Sequence, residues 1–508
     1  MTSYNNVRIA KNTLMLYFRM FLIMGIGLYT GRIILDTLGI TDYGIYNVVG
    51  GVITMVSFLH AAIIASTQRF LSFELGKGDR QRLSLVFCSS VNIHIVIAAV
   101  ILLIGESVGL WFINTHLNIP QDRMTAANWV YQASIFVLIF KVLSVPYNAA
   151  IIAHEKMSAF AYISIVEALL DLGAVFSLYI VIYDKLIVYS ILMVTVAFLI
   201  RLCYIIFCRC HFKECIYTFI YDKQIVREMF SFAGWSILGN MGSSFKGQIL
   251  NIILNLFYGT TANAASGVGH LVSSKINAFS VNFTMALNPQ ITKQYASGNY
   301  QGSKDLVYMG SRFSFFLLTI ISMPFLLNPD YILNLWLTNV PEYAATFLRL
   351  SLLSALIYAL SVCVTKAIQA TGNVRWFQIG IFIIMMGELP AGWLLLRTGF
   401  PPFAVMIPAL FSNTIALFFR FWLIQRYVPI YRFKEYMTNV VARSALTFII
   451  SYGLCLGVCR LFGPSLIHFL ISSTLCIMLT VSTIYVMGIK KTERNLVQNL
   501  ISKRLLKK

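Results

Sequence analysis

Apolar stretches of about 20 or more residues recur along the chain, each followed by a short polar turn. They fall near residues 10–35, 43–66, 84–112, 126–151, 160–183, 186–208, 232–257, 264–288, 307–328, 343–367, 377–397, 403–425, 440–462 and 464–487. Runs of this length suit helices; a barrel strand needs alternating segments of roughly 10 residues. The pattern predicts an all-α polytopic membrane protein of about 14 transmembrane helices with short connections. The first run is too long for a signal-peptide core and lacks a small-x-small cleavage site, so it is expected to remain as the first span.

Composition agrees with lipid as the solvent. Of 508 residues, 58% are hydrophobic and 11% charged, more apolar surface than the core of a soluble protein of this size can hide. The charges then set an orientation. One side of the map holds Arg8, Lys11, Arg69, Lys77, Arg80, Arg82, Lys156, Arg209, Lys213, Lys223, Arg227, Lys293, Lys304, Arg375, Arg426, Arg432, Lys434 and the basic tail; the other holds only Arg123 and Lys185. The positive-inside rule makes both termini cytoplasmic, N-in and C-in. It also accounts for the net charge of +20, together with attraction to anionic lipid. The bases are scattered over loops without a nucleic-acid motif, so no nucleic-acid partner is expected.

The nine cysteines include no Cys-x-x-Cys pair. The cluster Cys208, Cys210, His211 and Cys215 fits no zinc spacing, so no metal and no disulfide framework is expected.

Two internal matches divide the chain. At an offset of 220, "ILDTLGITDYGIYNVVGG" meets "ILNLFYGTTANAASGVGH", pairing Gly39 with Gly259, and "GDRQ" meets "GNYQ", pairing Gly78 with Gly298. At an offset of 217, "AIIAHEKMSAF" meets "AIQATGNVRWF", pairing Ala150 with Ala367 and Phe160 with Phe377, and Asp171 falls on Glu388. Two pseudo-symmetric six-helix lobes are expected, residues 1–215 and 216–435, with an added helix pair and basic tail at 436–508. Six spans is an even number, so both lobes keep one orientation about an axis along the membrane normal.

This plan, with "LGITDYGIYNVVGG", "STQRFLSFELGKGD" and "AIQATGN", resembles the polysaccharide exporters of the multidrug/oligosaccharidyl-lipid/polysaccharide (MOP) superfamily, which include the O-antigen repeat-unit flippases. The resemblance implies a protein of the bacterial inner membrane. It would move a polyprenyl-pyrophosphate-linked oligosaccharide from the cytoplasmic to the outer leaflet for surface polysaccharide (lipopolysaccharide) biosynthesis. Its partners would be that lipid-linked oligosaccharide, membrane lipids and the polysaccharide polymerase machinery.

Charges deep in the spans point the same way. Arg19, Lys141, Lys246 and Lys275 lie about 13 Å or more from either end of their helices at 1.5 Å per residue. Facing lipid, each would cost on the order of 3 kcal/mol. They are expected to line a cationic cavity facing both lobes that attracts pyrophosphate or acidic sugars, with Arg able to grip phosphate bidentately and Lys acting as a point charge. The deep acids Glu167, Asp171 and Glu388 are the candidates for charge partners or ion coupling. Bases nearer span ends, among them Arg312, Lys366, Arg420 and Arg443, are expected to snorkel to the interface.

No Walker-type loop is present and no cofactor is expected; the drive would come from an H+ or Na+ gradient or from the membrane potential. Pro146, Pro324, Pro390 and Pro408 are expected hinges for alternating access. Three other functions stay open: a peptidoglycan-precursor lipid flippase, a cation/drug antiporter of the same superfamily, and a membrane polysaccharide polymerase or ligase. The longest outward loop, Pro329–Tyr343, carries no evident catalytic pair, which disfavours the enzyme.

Overall fold

A computed structural model describes residues 3–494 except 55–56, 117–118, 338, 462–464 and 491–492. Among the described residues every regular element is helical. The chain forms two compact units, Ile9–Asn240 and Met241–Lys508 with Met1–Arg8.

The first unit is built on α1 (Ser3–Thr54), α2 (Ser57–Lys77), α3 (Arg80–Ile104), α4 (Leu110–His116), α5 (Met124–Ala153), α6 (Met157–Ser177) and α7 (Lys185–His211), with the first part of α8 (Lys223–Ala296). A π-helical turn, Gly105–Gly109, joins α3 to α4. Helix α5 is the centre of the unit and packs against α2, α3 and α7. Its Ala126, Ala127, Val130, Tyr131 and Ile135 share a core with Ile45, Val49 and Ile113.

The second unit continues with α9 (Tyr300–Leu327), α10 (Pro329–Trp336), α11 (Ala344–Thr371), α12 (Arg375–Met386), α13 (Glu388–Arg397), α14 (Ile407–Tyr427), α15 (Phe433–Tyr436), α16 (Arg443–Arg460) and α17 (Leu466–Thr483). Helix α9 packs against α11, α16 and α17. Its buried face carries Ser303, Ser311, Ser314 and Ser322, small residues that let neighbouring helices approach closely.

Among the described residues, eleven helices are long and apolar enough to cross a membrane. The described residues of the stretches expected at 43–66, 232–257 and 264–288 are also helical, in α1, α2 and the two arms of α8, but these stretches are not among those eleven. Polar residues such as Asn240, Ser243, Ser244 and Gln248 dilute the hydropathy of α8.

The matched repeat positions share backbone geometry. Gly39 breaks α1 at φ 77°, ψ 171° and Gly259 breaks α8 at φ 70°, ψ −166°, positive-φ extended conformations that a Cβ disfavours. Gly78 (φ 78°) and Gly298 (φ 76°) each precede an N-cap. Asp79 accepts from Arg82 N at 3.0 Å and Asn299 from Gly302 N at 2.9 Å, satisfying an orphan donor of α3 and α9 respectively. A third pair follows at the offset of 217, where Glu155 (φ 60°) matches Gly372 (φ 85°).

Two of the four expected hinges are differently placed. Pro146 and Pro324 do lie inside α5 and α9. Pro390 and Pro408 instead lie in the first turns of α13 and α14, where a missing N–H costs no helical hydrogen bond. The snorkelling expected of Arg312 and Arg420 also fails. Both are buried: Arg312 pairs with Glu493 and donates to the Asn439 carbonyl at 3.3 Å, and Arg420 donates to Ser361 Oγ at 2.7 Å.

Candidate functional site

The expected site residues divide two and two. Arg19 and Lys141 belong to the unit 9–240, Lys246 and Lys275 to the unit 241–508.

In the first unit, α5, α6 and α7 enclose a cavity of about 160 Å³ whose polar lining is Lys141, Ser144, Asn148, Glu167 and Tyr204. Lys141, Ser144 and Asn148 fall on one face of α5 at helical spacing. Asn148 Nδ2 donates to Tyr204 Oη at 3.4 Å. Half-buried Arg19 lies against the same group of helices, its guanidinium carbon 4.4 Å from the Phe160 ring centroid on α6. A cation over an aromatic face gains about 0.5–2 kcal/mol and leaves the guanidinium donors available. Glu167 and Asp171 follow on α6, one turn apart. Among the described residues, none of Arg19, Lys141, Glu167 and Asp171 forms an ion pair with another side chain.

The second unit resolves its charges differently. Lys246 on α8 lies 3.1 Å from an oxygen of Glu388, the first residue of α13. Glu388 is 2% exposed. Two glycines let the helices meet here. A Cβ on Gly242 would come within 2.8 Å of the Phe382 ring, and one on Gly392 within 3.1 Å of Val405. Lys275, beyond the Gly259 break, is exposed and forms no ion pair among the described residues.

Sequence reasoning missed the charge network at the other end of the first unit. Arg123 reaches Asp42 through Nε at 2.9 Å and Asp184 through Nη1 at 2.5 Å, tying together the start of the second expected span and two loops. Asp184 also caps α7, accepting from the N–H groups of Leu186 (3.0 Å) and Ile187 (3.2 Å). Partial burial opposes its charge, but these hydrogen bonds with Arg123 outweigh it and hold the carboxyl below the usual carboxylate range. The available signal was Asp42 inside "LGITDYG", facing the lone arginine of the outward loops. At the opposite end, His154 stacks on Phe212 and meets Glu214 at 2.5 Å.

The Cys208–Cys215 stretch forms no metal site. Cys208 gives its thiol to the Tyr147 carbonyl and His211 stacks on Phe207. Among the described residues, no three metal-ligating side chains gather.

Residues 236–394 match the MatE family model. No curated protein matches the sequence. Among solved structures, the chain is similar to an outward-facing multidrug resistance MATE family transporter of the MOP superfamily, with 11% identity, 85% of this chain and 99% of that chain covered, and a TM-score of 0.70. It is similar to the MATE transporter ClbM in complex with Rb+ (16% identity, 82% and 94% covered, TM-score 0.68). It is also similar to a MOP superfamily transporter from Pyrococcus furiosus, described as having a binding pocket of reverse polarity that suggests a different function (12% identity, 83% and 96% covered, TM-score 0.67). The chain therefore has the MATE transporter fold and carries a MatE segment. Members of that family are secondary transporters, not enzymes; they need no cofactor and are coupled to ion gradients.

Proposed function

We propose that this chain is a lipid-linked oligosaccharide flippase of the bacterial inner membrane. In this reading it makes fourteen crossings with both termini cytoplasmic. It carries a polyprenyl-pyrophosphate-linked repeat unit to the outer leaflet by alternating access, in support of surface polysaccharide synthesis.

One observation carries the reading. Among the described residues, only Lys246 of the four deep bases reaches a carboxylate at ion-pair distance; Arg19 feels Glu167, and Lys141 feels Asp171, at longer range, and Lys275 forms no ion pair. Unpaired bases at mid-membrane depth are costly unless they meet water or an anionic ligand. Arg19 offers a planar fork for a phosphate, and Lys141 and Lys275 offer point charges that hold an anion loosely enough to release it. Asn148, Ser144 and Tyr204 beside Lys141 can hydrogen-bond sugar hydroxyls. An inside-negative potential favours outward anion movement by about 2.3 kcal/mol per charge per 100 mV.

A cation/drug antiporter is the second reading. The similarity to a multidrug resistance transporter favours it, and so do Glu167 and Asp171, which form no ion pair among the described residues and could take up a proton or cation. A comparison in cells separates the two. Loss of the flippase causes lipid-linked repeat units to build up in the cytoplasmic leaflet. Loss of the antiporter leaves surface polysaccharide intact and raises sensitivity to cationic drugs.

A further inference from the structure

A second cavity in the unit 9–240 has no Lys, Arg, Asp or Glu in its lining. It is a groove of about 680 Å³ formed by α2, α3, the π-turn, α5 and the first turns of α8. Val96, Val100, Ile104 and Val108, four residues apart on one stripe, form its exposed rim. The floor is made by Ile63, Tyr131, Ile135, Val142, Met229 and Ala233.

Hydrogen bonds within the protein engage most polar groups along this floor. Ser66 donates to the Met229 carbonyl at 3.2 Å, Thr67 meets Ser90 at 3.4 Å, and His94 Nδ1 meets the Ser90 carbonyl at 2.6 Å. Tyr131 donates to the Gly105 carbonyl at 2.7 Å, an acceptor inside the π-turn. A Cβ on Gly109 would fall 1.8 Å from that tyrosine hydroxyl, so only glycine admits the ring there. With a lining this apolar, the groove suits a hydrocarbon occupant.

Length narrows the choice of hydrocarbon. The groove follows α3 and its continuation from Ile93 to Phe112, about 28 Å at 1.5 Å per residue, nearly the ~30 Å thickness of a bilayer core. A phospholipid chain ends near the midplane; a long isoprenoid does not. Two bases follow the lining helices just beyond the groove: Arg69, one turn after the lining Ser66 on α2 and stacked over the Phe70 and Phe73 rings, and Arg227, one turn before the lining Phe230 on α8. The two helices are joined there by the Ser66–Met229 hydrogen bond and by the Phe70–Phe232 contact at 6.2 Å.

We propose that this groove seats the isoprenoid chain of a polyprenyl-phosphate lipid, with Arg69 and Arg227 at its phosphate end. The proposal rests on the lipid-linked substrate inferred above and assigns that lipid's tail a place.

The test uses the full-length protein in phosphatidylethanolamine/phosphatidylglycerol vesicles containing a polyprenyl monophosphate with a diazirine in its chain. After illumination, adducts are expected on residues 93–112 and 229–237. They should be lost in the rim variant Val96→Trp/Val100→Trp, whose exposed positions tolerate the ring; size-exclusion elution and Tm check its folding. Arg69→Gln/Arg227→Gln should lower labelling by the polyprenyl phosphate but not by the neutral polyprenol. Equal labelling of these segments by a diazirine phosphatidylethanolamine would mean adventitious acyl chains only and would overturn the proposal, as would polyprenyl adducts confined to other helices. Translocation of a fluorescent polyprenyl-pyrophosphate oligosaccharide is read in parallel vesicles of the same phospholipids. Groove labelling without translocation keeps the groove and removes the flippase, whereas translocation without groove labelling does the reverse.

Discussion

Lys246 Nζ and a Glu388 carboxylate oxygen lie 3.1 Å apart, although the residues are 142 positions apart and the acid is almost wholly buried. Removing one partner of such a pair leaves the other charged and enclosed, at a cost of about 3–5 kcal/mol, while replacing both with apolar residues is often neutral. Lys246→Met is therefore expected to lower the Tm of the purified protein strongly, and Lys246→Met/Glu388→Leu to restore it. If the pair also participates in transport, the double variant will fold and fail to translocate. Full transport by the double variant would reduce the pair to a structural role.

Arg123 is expected to hold one end of the first unit together. Hydrogen bonds to charged groups contribute about 1.5–3 kcal/mol each, and Arg123→Ala removes those to both Asp42 and Asp184. The Tm should fall clearly, and Arg123→Lys should recover only part of the loss, since an ammonium cannot span both carboxylates with the same fork.

The same network predicts an acid limb. The Asp184 carboxyl is held below its ordinary value, so its contribution is fully present above the unfolded pKa of about 3.9 and is lost as pH falls through the lower folded value. Wild-type Tm should drop on acidification below about pH 4. Asp184→Asn should start lower and lose less over that interval. Parallel Tm–pH curves would show that Asp184 contributes nothing to the acid limb.

At Gly39 and Gly259 the cost of substitution is conformational. A Cβ at either position would meet nothing within 4 Å, so crowding is not the obstacle. The positive φ combined with a ψ near 180° is, at roughly 1–3 kcal/mol for an L-residue. Gly39→Val and Gly259→Val should each destabilise the protein by similar amounts, and the Asn variants should give no relief, because these positions lie outside the left-handed helical well that Asn tolerates. Thermal unfolding of the four variants checks this; a clearly smaller loss for Asn would contradict it.

Backbone constraints were legible in the chain where they demand particular residues. A left-handed position selects glycine, and a helix start selects Asp or Asn, so "GDRQ" and "GNYQ" could be aligned, and they adopt one geometry. Glu155 opposite Gly372 shows the limit: two residues share a conformation but no identity, and only the flanking Ala and Phe matches revealed the correspondence. Long-range charge pairing was not legible. Arg312 lies near a helix end and reads as a snorkelling side chain, yet Glu493, 181 positions later, neutralises it inside the fold. Helix ends needed the fold as well. Pro390 falls within an apolar stretch, but the chain breaks at Gly387, which turns a mid-span proline into a first-turn proline.

The measurement that tests the central claim most directly is translocation of a fluorescent polyprenyl-pyrophosphate oligosaccharide by the purified protein in vesicles with an imposed membrane potential. Wild type should move the lipid between leaflets, and Arg19→Ala/Lys275→Ala should fold, by Tm, yet lose most of the rate. No movement of the lipid, together with gradient-driven uptake of a cationic dye that persists in Arg19→Ala/Lys275→Ala and disappears in Glu167→Gln/Asp171→Asn, would contradict the account and establish the antiporter instead.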